Sequence, residues 1–303
     1  MRSGAAPPAR QRARRALLRA GLGALLGSAA GCAVTGGTVQ PWEQRLRGST
    51  LALLGEVHDN ELQHRLRTAV FARALAAGWR PALLMEQFDL DRQADLDRAR
   101  RERPRDAAHL VALAGGDGWH WPYYEPVVAL ALQHGLPLVA ANVPRAWASR
   151  LVRDDYDAVL GAERVRAWGL DRAPESPWQA AQERAIDAGH CGALPPGLWP
   201  GMARGQFARD AAMAHLLQAH GARGALLWAG DGHVRRDLGV PRWLERRGIA
   251  ALAVGFVERG TPPPDAGVYD AVVWTPAATR PDPCAAFKTN SQLDAARPDR
   301  KRE

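Results

Sequence analysis

Short apolar runs alternate with helical segments along this chain, and that alternation constrains the fold more than any other feature. The runs fall at 50–54, 82–85, 136–141, 224–229, 249–256 and 269–274. They are too short for buried helices and are bounded by glycine or polar residues, so they read as strands. They lack the apolar/polar alternation of a half-exposed strand, which argues for burial on both faces of a mostly parallel sheet. Helices fill the intervals. Asn60 caps one that runs to about Ala77 and closes at Gly78. Others span 90–101, stopped by Pro104, and 125–133, ended by Gly135. Pro144 opens another. Gln206–His220 carries Phe207, Ala211, Ala214 and Leu217 on one face. The expected fold class is α/β, a mostly parallel sheet covered by helices on both faces. The segment 154–200 breaks the alternation and reads as a helical insertion or lid.

The stretch LALLGEVHDNELQH, residues 51–64, shows what the runs carry at their ends. Glu56, His58, Asp59, Asn60, Glu61 and His64 arrive together. Alone, they could ligate a metal, serve as acid and base, touch a cofactor or start a helix. The other runs add to them. The second ends at Glu86 and Gln87, the third at Asn142 and Arg145, and the fourth at Asp231 and His233. Ligands of open α/β sheets bind outside the carboxyl ends of the strands, so four strands delivering ionisable groups to one edge mark a candidate pocket. Its residues are Glu56, His58, Glu86, Asn142, Arg145, Asp231 and His233. His58 and His233 are acceptable ligands for a divalent metal, with Glu56 or Glu86 as a general base. Each also has a plain structural use, in capping, ion pairing or backbone hydrogen bonding.

A second constellation is Trp119-His120-Trp121-Pro122-Tyr123-Tyr124-Glu125. Flat aromatic surface suits stacking on a planar ligand. Tyrosine and histidine both serve as axial ligands to haem iron. The alternative is a loop whose rings plug an apolar hole. His190-Cys191 is either a ligand pair or structural.

The formal charge is +8, but residues 1–31 hold six arginines and no acid. Removing those six from +8 leaves +2. A nearly neutral body excludes the footprint of a nucleic-acid binder. The basic start and the apolar, small-residue segment after it read as an export signal, of lipoprotein or twin-arginine type. It ends Ala29-Ala30-Gly31-Cys32, a lipobox-like sequence in which Cys32 is the lipidated residue. The expected organisation is a signal at 1–31, a tether at 32–49, an α/β domain at 50–275 and a polar, disordered tail at 276–303. Cys191 and Cys284 remain for an exported protein to pair, and sequence leaves that open.

These segments resemble, in order, the ChaN-like haem-binding lipoprotein family. The resemblance rests on LLGEVHDNELQH, LLMEQFDLDRQADLD, WPYYEPVVALALQHGLPLVAANVPR, HCGALP, QFARDAAMAHLL, LWAGDGHVRRDLGVPRWL and YDAVVWTP. The wider superfamily includes the Tiki-type metalloproteases and erythromycin esterase-like proteins. The resemblance implies haem binding linked to iron uptake or storage, with Tyr123 or Tyr124 as iron ligand and His64 or His120 in support. It implies an outer-membrane anchor through Cys32 in the cell envelope, facing the periplasm or the cell surface. A haem receptor or transport system would be a partner, and a homodimer stays open. Through the superfamily, the Glu56, His58, Glu86 and His233 pocket implies the alternative of a metal-dependent hydrolase.

Overall fold

The computed structural model describes residues 40–282 and 284–285. The export signal expected over 1–31, the lipidation site Cys32 and residues 286–303 lie outside the described residues. Six strands build one sheet: β1 (Leu51–Leu54), β2 (Ala82–Asp89), β3 (Leu138–Asn142), β4 (Ala225–Trp228), β5 (Leu252–Glu258) and β6 (Ala271–Thr275). Their order is β3-β2-β4-β1-β5-β6, and every neighbouring pair is parallel. The α/β expectation therefore holds. All four residues of β1 are buried, and successive side chains leave the strand on opposite faces. Leu51 and Leu53 enter one core, Ala52 and Leu54 the other.

The helices divide between those cores in chain order. α1 (Pro41–Gly48), α2 (Glu61–Ala76), α3 (Gln93–Glu102), α4 (Ala107–Ala114) and α5 (Glu125–Gln133) cover one face. α6 (Arg145–Leu151), α7 (Tyr156–Leu160), α8 (Ala162–Trp168), α9 (Ser176–Gly189), α10 (Trp199–His220), α11 (Asp231–Val234) and α12 (Val240–Glu245) supply the other. On α2 the Asn60 side chain accepts from the Gln63 amide, the cap expected from sequence.

Three expectations are corrected. The tether does not reach 49. Residues 41–48 form α1, whose Leu46 is fully buried and whose Trp42 meets Phe256 edge-on at 6.1 Å. The 154–200 insertion is a wall of the core rather than a lid, because Trp178 is sealed between Phe207 (5.0 Å) and Trp243 (5.1 Å). The tail is tied down as far as it is described. Asn60 donates to the Pro276 carbonyl, the Ala278 amide donates to Glu258, and Arg280 pairs with Glu258 and Asp59. A Cys191–Cys284 disulfide, Cα–Cα 5.6 Å, fastens it to the end of α9.

β4 lies between β1 and β2 although it follows them by well over a hundred residues. The carboxyl ends of β1, β4 and β2 are thereby adjacent at the centre of the sheet.

Candidate functional site

The registered pairs Leu54↔Trp228 and Met85↔Trp228 set Glu56, Gly230 and Glu86 side by side just past the paired residues. Glu86 Oε2 accepts from the Gly230 amide at 2.7 Å. Glu86 Oε1 faces His233 Nε2 at 3.4 Å and His58 Nε2 at 4.0 Å. His233 Nδ1 lies 2.6 Å from Asp210 Oδ1, and Gln206 contacts the same nitrogen at 3.1 Å. His58 Nδ1 lies 2.8 Å from Glu56 Oε1. Carboxylate and imidazole thus alternate in one chain: Asp210, His233, Glu86, His58, Glu56. Glycine at 230 permits it, since a Cβ there would sit 2.7 Å from His58 Cε1.

Glu56 is the junction of that chain with the aromatic segment. Its carboxylate accepts from the Tyr124 hydroxyl (3.1 Å) and meets His64 Nε2 (3.3 Å) and Arg67 Nη2 (3.9 Å). Burial opposes its ionisation, but Arg67 and the His58 hydrogen bond outweigh burial and hold its carboxyl below the usual range. Burial likewise opposes charging of His233, yet Glu86 and Asp210 hold its proton up to about 10. Burial would raise Glu86, and the His233 cation instead draws it down to about 2. Burial works against charging His58, while Glu56 and Glu86 lift it above its ordinary value.

This donor set does not fit the expected metal centre. Both nitrogens of His233 face carboxylates, Nδ1 against Asp210 at 2.6 Å and Nε2 against Glu86 at 3.4 Å. Among the described residues, no group of three or more His, Cys, Asp or Glu is arranged to hold a metal ion. Asp231 also leaves the pocket. Its carboxylate accepts from the Phe256 amide and its amide donates to the Glu56 carbonyl, so it buckles β4 to β1 and β5. His190-Cys191 is structural: the ring bonds the Ile186 carbonyl and the thiol is in the disulfide.

The aromatic segment splits in two directions. Trp121 packs on Phe88 at 5.1 Å and donates to the Gly116 carbonyl. Tyr124 is fully buried with its hydroxyl on Glu56, and burial raises its phenol well above the usual range. Tyr124 is therefore corrected from ligand candidate to core residue. Tyr123 turns the other way. It edges an apolar groove of about 650 Å³ between α2 and α5, with Ala69, Ala72, Pro126 and Leu130 along it. Its hydroxyl makes no hydrogen bond among the described residues. His64 stacks on the Tyr123 ring at 4.9 Å and 23°, and His120 meets the same ring edge-on at 4.3 Å. His64 is buried, and burial lowers its pKa to about 4. Its Nε2 is occupied by the His58 carbonyl (3.0 Å) and Glu56. His64 supports Tyr123 from beneath and lines the same groove, and its Nδ1 has no hydrogen-bond partner among the described residues.

Asn142 and Arg145 line a different opening, a cleft of about 660 Å³ with Glu86, Trp119 and Arg209. Asn142 is clamped there, donating to Asp89 at 3.1 Å and accepting from Arg209. Sequence reasoning missed Arg67 and Asp210. Arg67 is fully buried, donates to the Leu54 (2.8 Å) and Ala229 (3.2 Å) carbonyls and lies over the Trp228 ring at 4.1 Å. The available clue was spacing: His64 and Arg67 share the inward stripe of α2 with Phe71 and Ala74, as Asp210 does with Phe207, Ala211 and Ala214 on α10. A charge on an apolar stripe is rare unless paired.

A family model described as haem-binding uptake, Tiki superfamily, ChaN matches residues 42–244. Among solved structures, that of ChaN of Campylobacter jejuni, described by its cofacial haem binding, matches with TM-score 0.61 at 19% identity. The match covers 73% of this chain and 86% of that one, and shows a shared fold. A type III effector (TM-score 0.42, 15% identity, 80% and 95% covered) and an erythromycin esterase variant in its open conformation (0.41, 15%, 84% and 82%) are more distant. No curated protein matches.

Proposed function

Because the chain belongs to the ChaN family of haem-binding uptake proteins in the Tiki superfamily, we propose that it binds haem in the groove between α2 and α5, with Tyr123 as the iron ligand. The observation that carries this reading is the Tyr123 phenol, unpartnered at the edge of an apolar groove of about 650 Å³. The groove fits the cargo. Its alanine, proline and leucine wall offers the apolar surface a porphyrin needs. Arg65, exposed and paired with Glu61 at 2.6 Å, lines the same groove and would pair with a carboxylate of the bound haem. Haem supplies a Lewis-acidic ferric iron that a phenolate holds at low potential, which suits capture more than oxygen chemistry. His64 beneath Tyr123 fixes the ring plane, and its neutral imidazole adds no charge against the phenolate. His120, exposed against the same ring, gives a further polar contact.

The same reading places the protein in the cell envelope as an exported lipoprotein, anchored at the outer membrane through Cys32 and facing the periplasm or cell surface. What supports that is the lipobox-like sequence and the basic, apolar start. Its role is haem or iron uptake or storage, delivering to a receptor or transport system. An open groove covers one face of a macrocycle, and a second copy of the chain is proposed to cover the other. Titrating purified protein with haem tests the proposal. A saturable Soret change is expected, lost in Tyr123→Phe and kept in Tyr124→Phe.

A further inference from the structure

Gln87 is 2% exposed, and neither of its amide atoms has a hydrogen-bond partner among the described residues. A buried amide left unpaired has lost its water without gaining a partner and is destabilising. It stands where the β2–β3 register shifts between Met85 and Asp89, and such irregularities re-aim side chains beside sites. Here the shift turns Gln87 toward the cleft of about 660 Å³ that Trp119, Asn142 and Arg145 also line. That cleft shares no lining residue with the Tyr123 groove. Its cations are unequally committed. Arg209 is spent on Asn142, and Arg92 pairs with Asp95 at 2.9 Å and donates to the Leu113 carbonyl. Arg145 is exposed and makes no ion pair or hydrogen bond among the described residues. One side of the cleft therefore holds an uncommitted guanidinium, and its floor holds an amide with nothing to bond.

We propose that this cleft is a second ligand site, for a small organic acid carrying a carboxylate together with an amide or ester carbonyl. The carboxylate pairs with Arg145, whose planar fork matches it. The carbonyl accepts from the Gln87 amide once that side chain swings out from cover. Binding then relieves the unpaired amide, so the free protein carries a local instability that the ligand removes. The rings of Trp119, edge-on to His58 at 4.9 Å, give the ligand an apolar side.

Calorimetric titration with N-acetylglycine, with inorganic phosphate alongside, tests this on the full chain and on Gln87→Met and Arg145→Ala. N-acetylglycine is expected to bind saturably, and each substitution to weaken it at least tenfold, with the haem titration unchanged in both variants. Gln87→Met, without ligand, is expected to melt a few degrees higher, because the unpaired amide is gone. The proposal is overturned if N-acetylglycine does not saturate, if phosphate binds as well, or if either variant binds like the parent. A lower melting point for Gln87→Met also overturns it, since the amide would then be paired and structural. The haem titration on the same samples keeps this outcome separate from that of the Tyr123 groove.

Discussion

Two neighbouring phenols have opposite fates. Tyr124 is sealed in the core on the Glu56 carboxylate, while Tyr123 faces the groove with its hydroxyl unbonded among the described residues. Sequence put both forward, because the choice is made by where the short turn at Trp121–Tyr123 hands over to α5, and no residue type announces that rotation. Tyr124→Phe removes a hydrogen bond to a charged group. It is expected to cost about 1.5–3 kcal/mol in denaturant unfolding and to leave the haem spectrum unchanged. Glu56 has a larger stake, because Arg67 is buried against it and has no closer carboxylate partner among the described residues. Glu56→Ala strands that cation and is expected to destabilise the protein by about 3–5 kcal/mol, also read by denaturant unfolding. The strand-end residues Glu56, His58, Glu86 and His233 were legible because apolar strands have no structural need of such endings. Their partners Arg67 and Asp210 were not, since they sit on helices and meet the site only after packing.

At the level of elements, β4 inserted between β1 and β2 brings the strand ends together, and small residues let the parts close. Gly201 lets α10 lie against the end of α6, where a Cβ would run into the Val152 carbonyl. Gly230 makes room for His58 in the same way. Gly230→Ala is expected to push His58 off Glu86, seen as a shift of the His58 imidazole resonances and of its titration in NMR. The disulfide closes a loop with a sequence separation of 93. Its removal by Cys191→Ser with Cys284→Ser is expected to cost about 2–5 kcal/mol, measured by thermal or denaturant unfolding. Apolar runs and caps gave strand and helix identity well before any packing was known. α4 and α12 went unread although Asp106 caps the one, Gly115 closes it and Pro241 stands in the first turn of the other, and α1 escaped because a proline-led segment beside a signal reads as a linker. The pairing of Cys191 with Cys284 depends on the tail crossing to α9, which local spacing does not encode.

On the scale of the whole molecule, the aromatic segment is a partition. Trp119 faces the polar cleft, Trp121 and Tyr124 fill the core, and Tyr123 faces the groove. Glu56 links the two sides through His58 and His64. Charge in that partition gives stability a pH dependence. His233 keeps its proton up to about 10 when folded but near 6.5 when unfolded, so its contribution is complete below 6.5 and is lost as pH rises toward 10. Glu86, held to about 2 against an ordinary 4.5, contributes above 4.5 and loses it as pH falls toward 2. Between these limits Asp231, raised by burial to about 7, and His64, lowered by burial to about 4, act in opposite directions. The melting midpoint is therefore expected to fall between pH 7 and 10, and His233→Gln to flatten that limb. The central claim is that the Tyr123 groove holds haem, and a visible-absorption titration of the purified protein with ferric haem tests it most directly. A saturable Soret shift that Tyr123→Phe abolishes and Tyr124→Phe preserves is the predicted result. A spectrum that does not saturate, or one unchanged by Tyr123→Phe, would contradict it.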